Sequence, residues 1–209
     1  MKITPPQRPE ESVSRLISAL MPVSTPITVV PRKRLAWAYQ GNPQFYLFLE
    51  GEVSVLRASD GLVMATAYEP LVFGIAEAMQ KVHSQTLRVD TQAALRRVDA
   101  AQAMAIFSEN TLWQDVAATL SYFSSYLFYR DALVVQQRTY SVIRNHLQEM
   151  ILLPADTRLR ISILEYIQER THLSRSSVLN VIHALKAGDY IETSRGGYLL
   201  ELTQLPEEF

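Results

Sequence analysis

The segment LSRSSVLNVIHAL, at Leu173–Leu185, has the pattern of a short amphipathic helix. Ser174 is a suitable N-cap, because its hydroxyl can accept a hydrogen bond from a backbone N–H about one turn later. The aliphatic residues that follow recur at three- and four-residue steps, which places them on one side of a helix. They are Val178, Val181, Ile182 and Leu185. The segment therefore predicts a helix that buries one aliphatic face and exposes the other.

The opposite face of this predicted helix carries short hydrogen-bonding side chains and one cation. Arg pairs well with guanine in the DNA major groove, and Asn or Ser can reach other base edges there. A helix with an aliphatic buried face and such an exposed N-terminal face suits the major groove. The residues predicted to contact DNA from this helix are Ser174, Arg175, Ser176, Ser177 and Asn180.

The flanking residues complete a winged helix-turn-helix pattern. Ser162 and Glu165 have capping-box spacing at the start of a short apolar stripe, which predicts a first helix. Residues 171–173 have about the length of the tight connection in a helix-turn-helix. The stretch 190–200 then reads as strand, turn, strand, with Arg195 at the tip, near the phosphates of bound DNA. An ordinary amphipathic helix beside a hairpin in another α+β domain is the alternative interpretation.

Composition points to a globular protein. The chain has 209 residues, of which 48% are hydrophobic and 20% charged, and it contains no cysteine. This length gives room for two domains, each with its own core. The longest apolar runs are too short to span a bilayer and the first residues have no signal-peptide core, so we expect a cytoplasmic protein with no membrane partner. The lack of cysteine excludes disulfides, cysteine-ligated iron–sulfur clusters and a thiol redox switch.

The charge balance limits how tightly one copy of the chain can hold DNA. The formal net charge is −1, whereas strong nucleic-acid binders are often basic. Between residues 170 and 198 cations outnumber carboxylates, but only modestly. One such module neutralises few phosphates, so tight binding is expected to need a dimer.

A long helix is predicted over residues 111–136, where neither Pro nor Gly occurs. Its apolar residues follow alternating three- and four-residue steps over about three heptads, which is the pattern of a parallel two-stranded contact. The predicted dimer interface consists of Trp113, Val116, Leu120, Phe123 and Leu127. The segment has more aromatic rings than such a seam needs, so some rings are expected to pack on the preceding domain. The alternative is a long helix buried within one subunit.

The region upstream of that helix is rich in β-branched and aromatic residues, in short runs separated by turn signals such as Asp60-Gly61. Many short strands with turns between them favour a compact barrel or jelly roll. Helices are predicted at Glu10–Leu20 before the strands and at Ala100–Ser108 after them, the second with Asp99 as its N-cap. The predicted strands are Phe45–Glu50, Glu52–Leu56, Val63–Tyr68, Leu71–Phe73, Gln85–Val89 and Ala93–Val98.

The order of these parts resembles the CRP/FNR superfamily of bacterial transcription regulators. FYLFLEGEVSVLR and PLVFGIAEAM are similar to that family's β-roll, and LSRSSVLNVIHAL resembles its recognition helix. The resemblance covers residues 27–200 and implies an α+β chain in three parts. These are an N-terminal β-roll, a jelly roll like a cyclic-nucleotide-binding domain, at 1–110, a long dimerisation helix at 111–136 and a C-terminal winged helix-turn-helix at 137–209. The partners it implies are double-stranded DNA, a second copy of the chain and RNA polymerase.

The resemblance departs from the family at the ligand site of its cyclic-nucleotide-binding members. Those members carry Gly-Glu-Leu and, some residues on, Arg-Ser/Thr-Ala, whereas this chain has Gly-Ile-Ala at 74–76 and Gln-Thr-Leu at 85–87. A cyclic phosphate needs a cationic partner and oriented donors, which these residues do not supply. Glu77 and Arg88 are expected to point elsewhere on the roll. We therefore expect no cyclic AMP binding.

Two alternatives stay open for the equivalent pocket. It is expected either to be filled by side chains or to take an apolar small molecule such as a fatty acid. The predicted pocket residues are Phe73, Gly74, Ile75, Ala76, Met79, Gln85, Thr86 and Leu87.

The sequence has few residue patterns typical of metal binding or catalysis. The four histidines have no metal-ligand spacing, and no Gly-rich phosphate loop, nucleophile elbow or catalytic carboxylate pair occurs in the sequence. The sequence therefore predicts a dimeric, sequence-specific transcription regulator and not an enzyme. Within the superfamily it most resembles a branch described as inhibitor of peroxide resistance, which implies a role in stress. The alternative is a ligand-binding or protein-interaction module whose winged helix contacts protein rather than DNA.

Overall fold

The computed structural model describes residues 4–80, 83–135 and 137–207. These residues divide into two compact units, residues 4–128 and residues 129–207. The outer ends of the predicted parts, at residues 1, 136 and 209, lie outside the described residues. Among the described helices, none combines the length and the hydropathy needed to cross a bilayer.

The first unit is a β-roll flanked by helices. Helix α1 (Glu10–Leu20) precedes the strands, and a 3₁₀ turn at Met21–Val23 joins it to the first of them. The strands are β1 (Thr25–Ile27), β2 (Arg34–Leu35), β3 (Ala38–Tyr39), β4 (Asn42–Glu50), β5 (Val53–Arg57), β6 (Val63–Ala67), β7 (Leu71–Phe73), β8 (Gln85–Val89) and β9 (Ala94–Asp99). Helix α2 (Ile75–Met79) lies between β7 and β8, and the helices that follow β9 are α3 (Ala100–Glu109) and α4 (Trp113–Val134). The strands and helices predicted for this region are present, with ends that differ by a few residues.

The strands of this unit form two antiparallel sheets within residues 4–80 and 83–128. One sheet has the order β1-β9-β4-β3, with β7 also paired to β4, and the other has the order β2-β8-β5-β6. In the first sheet Phe45 lies opposite Val98, and in the second Val55 lies opposite Leu87. Asp99 ends β9 and caps α3, since its carboxylate accepts from the backbone N–H groups of two residues in the first turn.

Strand β4 is buried on both faces. Successive side chains of a strand point to opposite sides. Tyr46 and Phe48 lie in an apolar cluster that includes residues of both sheets. Phe45 and Leu47 lie in a second cluster, with residues of α1, α3 and α4. This double burial explains why the sequence of β4 is a continuous apolar run rather than an alternating one.

Helix α4 uses one side to pack on its own roll. Val116 belongs to the cluster that contains α1 and α3, and it is only 2% exposed. Phe123 stacks on Phe73, with ring centroids 6.2 Å apart and planes at 3°. In the first turn, Arg15 Nε lies 3.1 Å from both carboxylate oxygens of Asp115, and this hydrogen bonding lowers the pKa of Asp115. The helix is therefore tied to the roll by apolar and charged contacts.

This packing corrects the predicted dimer seam at Val116. A residue that is buried within its own subunit has no surface left for a second copy, so Val116 belongs to the core instead. Leu120 and Phe123 are half-buried against the same roll, whereas Trp113 and Leu127 are exposed.

The second unit contains helices that surround one apolar core, and a hairpin. The helices are α5 (Thr139–Met150), α6 (Ala155–Arg158), α7 (Ile163–Arg170) and α8 (Arg175–Ala187). The antiparallel hairpin consists of β10 (Ile191–Thr193) and β11 (Leu199–Leu202). The fully buried core residues are Ile143, Leu147, Met150, Ile167, Val178 and Leu185. This is the architecture of a winged helix-turn-helix, as predicted.

Gly74 is the residue at which the chain turns from β7 into α2. Its φ of +98° lies in the left-handed region, and a Cβ there would lie 2.6 Å from the carbonyl oxygen of Gln44. Gly41 also has a positive φ, +84°, but a Cβ built on it meets nothing within 4 Å. Both glycines therefore adopt a left-handed backbone conformation that disfavours other residues. Only at Gly74 would a side chain also collide with neighbouring backbone.

We expect Gly74→Ala to lower the free energy of unfolding of the roll more than Gly41→Ala does. Both changes place a side chain on left-handed backbone, at a cost of about 1–2 kcal/mol. Only at Gly74 does the new methyl group collide with backbone, which adds about 1–3 kcal/mol. Both tryptophans, Trp37 and Trp113, lie in the first unit, so urea unfolding followed by tryptophan fluorescence reports on the roll. Equal losses for the two variants would contradict the steric requirement.

Candidate nucleic-acid interface

Two serine N-caps fix the starts of α7 and α8. The Ser162 hydroxyl accepts from the Glu165 N–H at 3.2 Å, and Glu165 Oε2 accepts from the Ser162 N–H at 3.2 Å, which completes the predicted capping box. The Ser174 hydroxyl accepts from the Ser177 N–H at 3.1 Å. Helix α8 therefore begins at Arg175, as its sequence predicts.

The turn between the two helices is fixed by a buried hydroxyl. Thr171 Oγ1 donates to the carbonyl oxygen of Ile167 at 2.8 Å and accepts from the Leu173 N–H at 3.3 Å. Thr171 is itself buried, so both hydrogen bonds are sheltered from water. The side chain thus ends α7 and sets the direction in which the chain enters α8.

Helix α8 has the two predicted faces. Val178, Ile182 and Leu185 are buried in the core of the unit. Arg175 and Asn180 are exposed on the other side, and neither side chain makes a hydrogen bond or ion pair with the described part of the chain. Their side chains are thus available to a partner in solution.

The serines of α8 differ from one another in what their hydroxyls do. Ser174 Oγ lies 2.8 Å from Ser177 Oγ and 3.0 Å from Ser176 Oγ, in addition to its bond with the Ser177 N–H. Ser177 is half-buried, whereas Ser174 and Ser176 are exposed. The structure therefore gives Ser174 a capping role and leaves Ser176 as the serine that best reaches outward.

Three exposed residues on this side of α8 were missed by the sequence analysis. Leu179 and His183 follow Arg175 at successive four-residue steps, and Lys186 follows in the last turn. Residues four apart lie on the same face of a helix. That spacing was the available signal, and it was missed because only the polar residues of the first turns were assigned to the outer face.

The turn of the wing is held by hydrogen bonds between main-chain groups. The Ser194 N–H donates to the Tyr198 carbonyl at 3.0 Å, and the Gly197 N–H donates to the Ser194 carbonyl at 3.1 Å. The Gly197 carbonyl accepts from the Ile163 N–H at 2.9 Å, which ties the wing to the start of α7. Arg195 is exposed at the tip, and its side chain makes no hydrogen bond or ion pair among the described residues. The wing therefore presents a cation next to the helix-turn-helix of the same unit.

A buried histidine on α5 lies in the core that carries the helix-turn-helix. His146 is 4% exposed, and its ring meets that of Tyr166 edge-on, with centroids 6.4 Å apart. Burial lowers the pKa of His146 to about 4, so the ring is neutral at pH 7. Its Nδ1 lies 2.7 Å from the Val142 carbonyl oxygen, to which the neutral ring donates.

One turn along α5, Glu149 is also withdrawn from water. It accepts from the Tyr129 hydroxyl at 2.9 Å, and burial raises the pKa of its carboxyl group. Arg130 and Arg170 lie near both titratable groups, and Arg130 Nη2 donates to the Arg170 carbonyl at 2.9 Å. This polar cluster joins the last part of α4 to α5 and α7 within the second unit.

The predicted ligand pocket of the roll is largely part of the core. Phe73, Ile75 and Leu87 are at most 4% exposed and lie in the two apolar clusters of the roll. Gly74 forms the turn described above. By contrast Ala76 and Met79 lie at the surface, with Met79 52% exposed, because α2 is a single turn that points these side chains outward. They do not form the apolar lining predicted from the sequence.

A polar pair lies where the sequence predicted none. Glu77 is buried, and its Oε1 accepts a hydrogen bond from Nε2 of the half-buried Gln85. The Gln85 carbonyl accepts from Trp37 Nε1 at 2.6 Å, and Thr86 beside it is half-buried. The prediction that Glu77 points elsewhere was wrong, because Glu77 lies in the helical turn α2, which brings its carboxylate to Gln85. Arg88 does point away, and its Nε donates to Asp90.

Comparison with known proteins identifies a matching domain family and a related protein. A protein family described as winged helix-turn-helix DNA binding matches residues 139–207. "Inhibitor of hydrogen peroxide resistance" of Salmonella typhimurium strain LT2 is 32% identical over 171 residues, which cover 81% of this chain and 82% of that protein.

Solved structures share the fold at lower identity. The c-di-GMP responsive global regulator CLP of Xanthomonas campestris superposes with a TM-score of 0.75 at 15% identity, covering 91% of this chain and 100% of that one. A putative transcriptional regulator of the CRP/FNR family from Eubacterium rectale superposes with a TM-score of 0.67 at 11% identity, covering 91% and 90%. The β-roll and winged helix-turn-helix predicted from the sequence are thereby confirmed as a fold.

The neutral state of His146 predicts that acid destabilises the second unit. The folded chain takes up this proton only near pH 4, whereas an unfolded histidine does so near pH 6.5, so the unfolded state binds more protons between these values. The free energy of unfolding therefore falls as the pH is lowered through this window. Between pH 7 and pH 4.5 the fall attributable to His146 is about 2–3 kcal/mol.

Urea unfolding followed by far-UV circular dichroism at the two pH values tests this expectation. His146→Gln should lose less stability on acidification than the unchanged chain, and His183→Gln, at an exposed position, should behave like the unchanged chain. Glu149 titrates with the opposite sign but is present in all three proteins, so the comparison isolates His146. An identical acid loss in His146→Gln would show that another group controls it.

Proposed function

Because the chain belongs to the family of the inhibitor of hydrogen peroxide resistance and has the fold of CRP/FNR family regulators, we propose that it is a dimeric transcription regulator that binds specific DNA sequences and acts in peroxide stress. The observation that carries this proposal is the exposed N-terminal face of α8, with Arg175 and Asn180 unengaged beside a wing that presents Arg195. With no cysteine, the chain does not sense peroxide through a thiol. Its role in stress is then control of genes, by an indirect signal or through methionine oxidation.

Each exposed side chain of the interface has a distinct role in the proposed complex. Arg175 lies in the first turn of α8, the part of a recognition helix that enters the major groove, where it pairs with a guanine. Ser176 and Asn180 reach neighbouring base edges. Arg195 contacts a phosphate from the wing, which adds affinity without sequence preference. Ser174 and Ser177 support these contacts by holding the start of the helix.

The proposed dimer uses a face of α4 that is rotated from the predicted one. Val116 and Phe123 face their own roll, and the residues that follow them, Ala117 and Ser124, are exposed. With Trp113, Leu120 and Leu127 they form a series of four- and three-residue steps, which is the spacing of a parallel helix pair. Small side chains at two of the five positions let two helices approach closely.

The roll of this regulator is proposed to bind no cyclic nucleotide. Near the position where the nucleotide-binding members have a cation, this chain places the Glu77 carboxylate beside a neutral glutamine. A carboxylate repels a cyclic phosphate rather than replacing its hydration. The tight packing of Phe73, Ile75 and Leu87 supports the filled pocket over the apolar ligand site.

Binding to a DNA sequence selected by the unchanged protein tests the proposed function. Half-sites about one helical turn apart are expected, related by the two-fold axis of the dimer. Arg175→Ala should cost about 1–3 kcal/mol per half-site on the selected DNA and relax the preference at one base pair. Arg195→Ala should weaken selected and random DNA alike and reduce the slope of log K against log salt by about one per subunit. Fluorescence anisotropy at several salt concentrations measures both effects.

The comparison of the two arginine variants separates the possible outcomes. Equal weakening of selected and random DNA by Arg175→Ala would make that residue a phosphate contact and contradict its proposed role in base readout. If the unchanged protein selects no sequence at all, the winged helix contacts protein instead, and the proposed function is wrong.

The dimer proposal predicts a monomer when charge is placed on the exposed face of α4. Leu127→Asp puts a carboxylate into an apolar contact at a position that is 48% exposed in the single subunit, so the roll itself should stay folded. Ser125→Asp adds the same charge to the same helix at an exposed position about 160° around it from Leu127, and it should leave the dimer intact. Light scattering at micromolar concentration distinguishes the two masses. A dimeric Leu127→Asp variant would exclude this face.

A further inference from the structure

Leu179 is an exposed leucine on an otherwise polar helix face. Its side chain is 40% exposed, whereas Val178 and Ile182 beside it belong to the core of the unit. Four residues separate it from Arg175 and from His183, so it lies between them on the outer side of α8. The core does not account for a leucine at this place, because the aliphatic face of α8 is complete without it.

The neighbours of Leu179 are the residues that the proposed function places in the major groove. In the helical projection Leu179 lies about 40° from Arg175 and about 100° from Asn180, near the middle of the exposed arc. A side chain at the middle of a recognition helix that enters the groove faces the base edges most directly. Whatever lies opposite Leu179 must therefore be a group on a base, and it must favour an apolar partner.

The major groove offers one apolar group on a base edge, the C5-methyl of thymine. We propose that Leu179 packs on a thymine methyl group in each half-site, and so selects a T·A pair next to the pair read by Arg175. This inference rests on the proposed DNA-binding function and names what the site recognises. Four residues of helix rise about 6 Å and one base pair about 3.4 Å, so the thymine lies one or two base pairs from that guanine.

The contact makes a prediction that amino-acid substitution alone cannot test. A leucine that packs on the methyl group loses this contact when thymine is replaced by deoxyuridine, which pairs with adenine identically but lacks the methyl. Burying one methyl group corresponds to about a fourfold change in affinity, or about fifteenfold when both half-sites of a dimer change together. Combining Leu179→Ala with deoxyuridine should lower the affinity no more than either change alone, since each change removes the same contact.

The experiment compares three proteins, the unchanged chain and two leucine variants, on one DNA sequence selected by the unchanged protein. Each symmetric pair of thymines is replaced in turn by deoxyuridine, and the dissociation constant is measured by fluorescence anisotropy. For the unchanged protein, one pair near the guanine read by Arg175 should weaken binding about fifteenfold. Leu179→Ala should bind the thymine form more weakly by a similar factor and show no further loss with deoxyuridine. Leu152→Ala, at a leucine that is 84% exposed outside α8, should keep the full deoxyuridine effect.

The outcomes separate this inference from the function on which it rests. Sequence-specific binding with no sensitivity to deoxyuridine overturns the thymine contact and leaves the regulator intact. A deoxyuridine effect that persists in Leu179→Ala assigns the methyl group to another residue, and also overturns it. If Leu179→Ala keeps full DNA affinity, Leu179 contributes no contact with DNA, and the inference is overturned. Absence of any sequence preference in the unchanged protein overturns both proposals.

Discussion

The burial of β4 on both faces determines how the rest of the roll is built. One set of its side chains joins the two sheets, and the alternate set provides the surface on which α1, α3 and α4 pack. A strand in this position cannot move without exposing apolar area on both sides. It therefore fixes which side of α4 turns inward, and by exclusion which side remains for the proposed second copy of the chain. The Arg15–Asp115 ion pair holds the first turn of α4 in the same orientation.

In the winged unit, several side-chain hydroxyl groups are already hydrogen-bonded to the backbone. Ser162, Ser174 and Thr171 each satisfy backbone groups that a short helix or a tight turn would otherwise leave without a hydrogen bond. The helix-turn-helix is consequently rigid at its two helix starts and at its turn. Fewer polar side chains therefore remain for a partner, so the proposed recognition of DNA depends on a small number of residues, with Arg175 foremost among them.

Structural features that depend on residues close in the sequence, such as helix caps, could be predicted. Features that depend on contacts between residues distant in the sequence, such as the buried face of α4, could not. The capping box at Ser162, the N-cap at Ser174 and the Asp99 cap all join atoms within three residues, and their spacing alone identifies them. The heptad period of α4 was equally local. Which of its faces turns inward depends on the roll, so the sequence could not tell that Val116 is buried and Ala117 exposed.

The misplacement of Glu77 in the roll and the omission of Leu179 on α8 have the same physical origin. Glu77 was expected to point elsewhere on the roll, whereas the left-handed turn at Gly74 starts a helical turn that brings its carboxylate to Gln85. Leu179 was overlooked because an apolar residue is expected to be buried, and only the packed structure shows that the core has no place for it. In both cases the residue type is evident from the sequence, whereas the way its side chain points is evident only from the packed structure.

The wing keeps its shape through main-chain hydrogen bonds and a glycine turn, and the side chain at its tip takes no part in that shape. Residue 195 can therefore change in descendants of this chain without any adjustment of the fold around it. If the tip only touches phosphate, such changes raise or lower occupancy at every target promoter together. In the proposed function, residues 175 and 179 instead decide which promoters are targets. A lineage can then retune the strength of a whole regulon by drift at one loop position while its membership stays the same.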